Sequence, residues 1–173
     1  MNILVKLIPV LVLSLAACAP KPAASAKQLM LSAAEFPRIA SVEPQMEIGD
    51  EPGSDASADS LRPYGVHSAA RYRYHLRGPD GGVYKVHILL FADEAAAVKD
   101  WQTRHRPEAL AQTQPLSLDG PGDAWIYPNP EKGELAEVRV GRAVVEIKAR
   151  GAATQLAAFS RAMAAHAAKR LKR

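Results

Sequence analysis

The chemistry open to this 173-residue sequence rests on few residues. It has five histidines, His67, His75, His87, His105 and His166, and a single cysteine, Cys18. His75 and His87 are expected on neighbouring strands, diagonal to each other, with Arg73, Arg77 and Lys85 beside them. Those cations repel a divalent ion, so no metal site is expected there. His166 borders an apolar helical stripe and reads as a boundary residue rather than a ligand. Ser68 and Ser160 lack a nucleophile elbow. Gly78–Gly82 joins two strands, whereas a phosphate cradle needs its glycines between a strand and a helix. Asp50, Asp55 and Asp59 lack calcium-loop spacing and a closing Glu, so they read as a solvated loop. Glu137 and Glu146 are the carboxylates available for acid–base work. Both are expected on an open sheet face, where a carboxylate stays solvated. Neither a catalytic residue nor a cofactor is expected.

What remains is a row of basic groups. Arg71, Arg73, His75, Arg77, Lys85 and His87 alternate along two strands and share one face. They form a candidate anion-binding face for a phosphorylated glycan, a lipid headgroup or an acidic protein surface. The simpler reading, an exposed face balanced by Glu137 and Glu146, stays open beside it.

Two hairpins and two helices must position these residues. Arg71–Arg77 alternates strictly, with Tyr72, Tyr74 and Leu76 on the apolar side. Val83–Phe91 answers with Tyr84, Val86, Ile88 and Leu90. Pairing Arg77 with Val83 sets Leu76 opposite Tyr84 and Tyr74 opposite Val86. Asp93 caps a helix with the stripe Ala97, Val98 and Trp101, which ends near Arg106 before Pro107. A short helical piece is expected over Glu108–Gln112, and a short strand over Asp123–Tyr127. Glu134–Val140 and Ala143–Ala149 make the second hairpin around Gly141-Arg142. It sets Val138 against Val145, Ala136 against Ile147 and Glu137 against Glu146. The last helix, Ala153–Leu171, carries Leu156, Phe159, Met163, Ala167 and Leu171 at helical spacing. Upstream, Arg38–Val42 reads as a first strand closed by Pro44, and Gly49–Ser60 as a polar loop. The expected fold is α+β: an antiparallel sheet of about five strands with two main helices packed on one face. In element order alone it resembles the small α+β sensor or binding domains of bacterial surface lipoproteins.

The start of the chain supplies an address. Lys6 precedes an apolar run, Leu7–Leu15, that is too short to span a bilayer, which takes ~20 residues. A basic start, a short apolar region and small residues at the cut mark an export signal. Leu15-Ala16-Ala17-Cys18 resembles the lipobox of bacterial lipoproteins. That resemblance implies cleavage before Cys18 and acylation of Cys18, with two or more acyl chains giving a stable anchor. The absence of Asp at Ala19 implies the outer membrane. Residues 1–17 are therefore expected to be a signal peptide, 18–28 a lipidated tether containing Pro20 and Pro22, and 29–173 one domain.

Composition agrees with a single domain of ordinary kind. Apolar residues make up 48%, aromatics only 6%, and the net charge is +4, so the core must be mainly aliphatic. A nucleic-acid binder concentrates basic charge far more strongly, and none is expected as partner. Cys18 is alone, so the fold gains no disulfide and must stand on packing. The sequence points to a lipid-anchored envelope protein facing the periplasm. It would touch the membrane through Cys18 and act by binding an envelope protein or an anionic glycan or lipid. A ligand-sensing or carrier module is the alternative, and a hydrolase the third. A closed apolar pocket would favour the carrier; a cleft holding His and unpaired carboxylates would favour the hydrolase.

Overall fold

A computed structural model describes residues 24–48, 61–78, 81–106, 113–127, 133–150 and 155–172. The leader, Cys18, the loop Gly49–Ser60 and the expected helical piece Glu108–Gln112 lie outside the described residues.

Alternation builds the sheet. Strand β2 (Val66–Leu76) and strand β3 (Val83–Phe91) form the first hairpin, and β6 (Leu135–Val140) and β7 (Ala143–Arg150) the second. Strand β1 (Ile39–Ile48) flanks β2, while β5 (Asp123–Tyr127) and the two-residue β4 (Gln114–Pro115) flank β6. All pairings are antiparallel, in one seven-stranded sheet of order β1-β2-β3-β7-β6-β5-β4. Among the described residues the count is seven rather than the approximately five expected: β4 had no counterpart in the sequence reading, and β1, expected to close at Pro44, runs on through it, which an edge strand tolerates because one side of it needs no ladder donor. A register shift between Pro44 and Met46 accommodates the ring.

The first hairpin is paired two residues away from the expected register. Tyr74 faces Tyr84, Tyr72 faces Val86 and Arg71 faces His87. The connection is longer than a minimal turn, and the Leu76 amide donates to the Gly82 carbonyl at 3.0 Å. A slip of two leaves every side chain on its expected face. His75 and His87 are no longer diagonal, since His75 lies opposite Val83. The second hairpin has the expected pairs, Val138 with Val145, Ala136 with Ile147 and Glu137 with Glu146.

The helices lie on opposite faces, not on one. Helix α2 (Leu156–Leu171) buries Leu156, Phe159, Met163 and Ala167 against Tyr74, Tyr84, Val138, Val145 and Ile147. Helix α1 (Glu94–Arg104) buries Ala97 and Trp101 against Ala69, Leu89, Phe91 and Val144. Leu89 and Leu90, like Val144 and Val145, are strand neighbours pointing to opposite sides, so each helix takes one side. Asp93 caps α1, accepting from the Ala96 amide at 2.8 Å.

Residues 24–28, expected as tether, belong to the packed structure. Ala26 and Leu29 are buried in a short 3-10 turn, and the Ala26 amide donates to Ser68 Oγ at 2.9 Å. His166 pins the same segment: its Nδ1 lies 2.8 Å from Glu35 Oε1 and its Nε2 lies 3.3 Å from the Gln28 carbonyl. Small apolar residues bury as readily here as in a regular element, so composition alone misplaced the boundary.

Candidate functional site

Among the described residues, the face that carries α1 is covered along only part of its length. Reading along β3, Phe91 and Leu89 lie under the helix, then His87 and Lys85 run out beyond it. Along β7, Val144 is covered and Glu146, Lys148 and Arg150 follow. The uncovered half forms an open groove of about 1420 Å³ that crosses the sheet from Gln45 and Met46 on β1 to Tyr127 on β5. At its far edge Gly133 has φ +88°, and a Cβ there would meet the Ala149 carbonyl at 2.3 Å, so glycine alone lets the chain enter β6 this closely.

Three of the six basic residues read from the sequence, Arg71, Lys85 and His87, line this groove. Arg73 and His75 share the face but have a counter-ion. Glu43 on β1 lies 3.3 Å from Arg73 and 3.2 Å from His75. Arg77 is exposed beyond the end of β2 and does not line the groove. The structure adds Lys148 and Arg150 from β7. Both already stood in the alternating strand Ala143–Ala149 or just after it. Their membership depends on β3 pairing with β7, a contact between hairpins that no local signal fixes.

Cross-strand register gives the charge pattern. Arg73, Lys85 and Lys148 are directly opposed on three adjacent strands. Arg71 and Arg150 occupy the two opposite diagonals of Lys85. Lys148 is neutralised by Glu146 at 2.7 Å. Among the described residues, Arg71, Lys85 and Arg150 have no carboxylate within ion-pair distance. These three therefore form a diagonal line of uncompensated cations, neighbouring positions being about 7–8 Å apart.

His87 sits beside this line, half-buried. Its Nε2 is buried and has no hydrogen-bond partner. Burial first, then Arg71, hold its pKa down to about 4; Glu146 pulls the other way, and Arg104 and Lys148 add smaller downward contributions. The imidazole is neutral near pH 7, so the cationic character of the groove comes from Arg and Lys alone.

Of the carboxylate pair, Glu146 lines the open groove and Glu137 does not. Glu137 is 6% exposed, covered by the end of α1. The Tyr127 hydroxyl donates to its carboxylate, and desolvation raises the Tyr127 pKa, with the Glu137 charge next. His105 Nε2 lies 3.0 Å from Glu137 Oε2, without the alignment of a hydrogen bond. The His105 Nδ1–H donates to the Trp101 carbonyl at 2.8 Å, and the two rings stack at 3.8 Å. Arg104 reaches Glu137 at 3.7 Å and Glu146 at 3.9 Å, and it is itself held by Asp100 at 2.8 Å. Facing Glu137 and Glu146 are thus spanned by one guanidinium, which removes the repulsion expected of such a pair. The cluster ties the C-terminal end of α1 to the sheet, with each carboxylate engaged.

No protein-family model matches the chain. No curated protein matches it. Among solved structures, the extracellular domain of PknH from Mycobacterium tuberculosis is similar at 15% identity with a TM-score of 0.48, over 88% of this chain and 98% of that one.

Proposed function

We propose that this chain is a lipid-anchored envelope protein whose domain binds an anionic partner and performs no catalysis. On this reading Cys18 carries the acyl chains and the domain faces the periplasm from the outer membrane. The open half of the α1 face is the contact surface, and nucleic acid is not the partner. The supporting observation is the diagonal of Arg71, Lys85 and Arg150, uncompensated beside an open groove. The volume of about 1420 Å³ exceeds the ~300–1,000 Å³ of a small-molecule pocket, which disfavours a carrier. So does the packing under α2, where Phe159 fills the space between Tyr74 and Tyr84 with both ring centroids at 5.2 Å. An acid–base hydrolase built on the Glu137–Glu146 pair would need a free carboxylate, and Glu137 is engaged by Tyr127, His105 and Arg104.

A photo-reactive side chain in place of Lys85, in cells with an intact envelope, tests the reading. The expected product is an acidic envelope component, identified by mass spectrometry and lost at high salt. The same product from a probe at Lys169, on exposed α2 surface across the sheet, would sink it.

A further inference from the structure

The cationic diagonal has a direction, a spacing and a chemical lining, and together they describe one kind of anion. We infer that the groove takes an extended acidic polysaccharide, laid across the strands from β2 over β3 to β7. This rests on the anion-binding reading above and names its ligand.

Spacing comes first. Arg71, Lys85 and Arg150 lie on one straight diagonal of three neighbouring strands. Successive backbone positions are about 7–8 Å apart, so the three cations can engage one extended chain in turn. A polyphosphate places charge on every successive phosphorus, much more densely than this. A polyuronate separates its carboxylates by sugar rings, and in an extended twofold chain those on one side recur every second ring. That widely spaced pattern matches the diagonal.

The lining supports the same answer. Glu146 stands within the groove, paired with Lys148, and an acid there opposes a uniformly dense polyanion. A sugar chain meets it with hydroxyl donors between its charges. Tyr127, Leu135 and Met46 border the groove and offer aromatic and apolar surface to the C–H faces of sugar rings, while the Gln45 amide can pair with hydroxyls. The groove is open and crosses the sheet, so a polymer enters it along its length without closure of the protein around an end.

The test uses the full-length chain in neutral detergent, titrated at low salt by calorimetry. Its ligands are a galacturonate hexamer, which carries three carboxylates on one side, galacturonate monomer, neutral dextran, polyphosphate and phosphatidylglycerol vesicles. The hexamer is expected to bind, more tightly than the monomer by about tenfold or more because its charges act together. Dextran should not bind. Lys85→Ala should weaken the hexamer about fivefold, as loss of one exposed ion pair does, without lowering the melting temperature. If polyphosphate or the vesicles bind and the hexamer does not, the polysaccharide inference falls while the anion-binding reading stands. If no anion binds, both fall. Hexamer binding left unchanged by Lys85→Glu would also overturn the inference, because the diagonal would then not be the site.

Discussion

Lys85 on β3 stands directly opposite Lys148 on β7, and on its other side directly opposite Arg73 on β2. Like charges so placed destabilise a sheet, and only the outer two have counter-ions, Glu146 and Glu43. A protein selected for stability alone gains by reversing the central charge. Lys85→Glu should therefore raise stability by about 0.5–1 kcal/mol at low salt while abolishing anion binding. Urea unfolding at low and at molar salt checks this, since the gain should fade as the charges are screened. An unchanged or lowered urea midpoint at low salt would contradict it.

Phe159 is the keystone of the opposite face. It is fully buried, and its ring meets Phe36 at 5.4 Å, Tyr74 at 5.2 Å and Tyr84 at 5.2 Å, each edge-on. Phe159→Ala should cost about 3–5 kcal/mol through lost burial and the cavity left behind. That is a large part of the ~5–15 kcal/mol that holds a domain together. Phe159→Leu should cost less and leave ligand affinity unchanged, because the groove lies across the sheet. Denaturant unfolding with calorimetry on the Leu variant separates the two effects. A fall in affinity equal to the fall in stability would show that the faces are coupled.

Local pattern carried much of this architecture. The stripe Leu156, Phe159, Met163, Ala167 names the buried side of α2, and the Gly141-Arg142 turn fixes the register of β6 and β7. The first hairpin was legible as to faces but not as to register, because its longer connection allows pairings two residues apart. The opposed helices were written in Ile88-Leu89-Leu90-Phe91 and Ala143-Val144-Val145. There apolar residues stop alternating, the mark of a strand covered on both faces. That signal was overshadowed by strict alternation in the first half of each hairpin. Strand parity grouped Arg71, Lys85 and His87 on one face, but it grouped Arg73, His75 and Arg77 with them, and only the first three line the groove. Lys148 and Arg150 were not legible as groove residues, since their place depends on β3 meeting β7. Burial of Glu137 depends on His105 and Tyr127, which come from two further segments.

Cys18 lies outside the described residues, and its role is testable without structure. Acyl chains hold a protein by ~0.8 kcal/mol per buried CH₂, and one chain alone binds only marginally. In Cys18→Ser no sulfur remains to acylate. The full-length variant should move from the membrane to the soluble fraction and lose the acyl mass of the wild-type protein. Exchanging sulfur for oxygen at Cys18 leaves the described packed residues, from Ala24 onward, unaltered, so the variant should melt like the wild type. Unchanged fractionation with membranes would refute the lipobox reading.

His87 makes stability depend on pH in a predictable sense. Its folded pKa is about 4 against an ordinary 6.5, chiefly because burial disfavours the charged ring and Arg71 repels it. Between those values the unfolded chain holds the proton and the folded chain does not, so stability rises with pH there. The contribution is complete above pH 6.5 and is lost as pH falls through about 4. The site is partly open to solvent, which reduces the effect to about 1–2 kcal/mol. His87→Gln removes the titration and keeps a polar side chain. The stability difference between wild type and this variant should therefore shrink or reverse between pH 7 and pH 4, by that amount, in urea titrations at fixed ionic strength. Any other group that titrates in the same interval is common to both proteins. A difference that stays constant across the interval would mean that His87 takes up its proton equally well in the folded and unfolded chains.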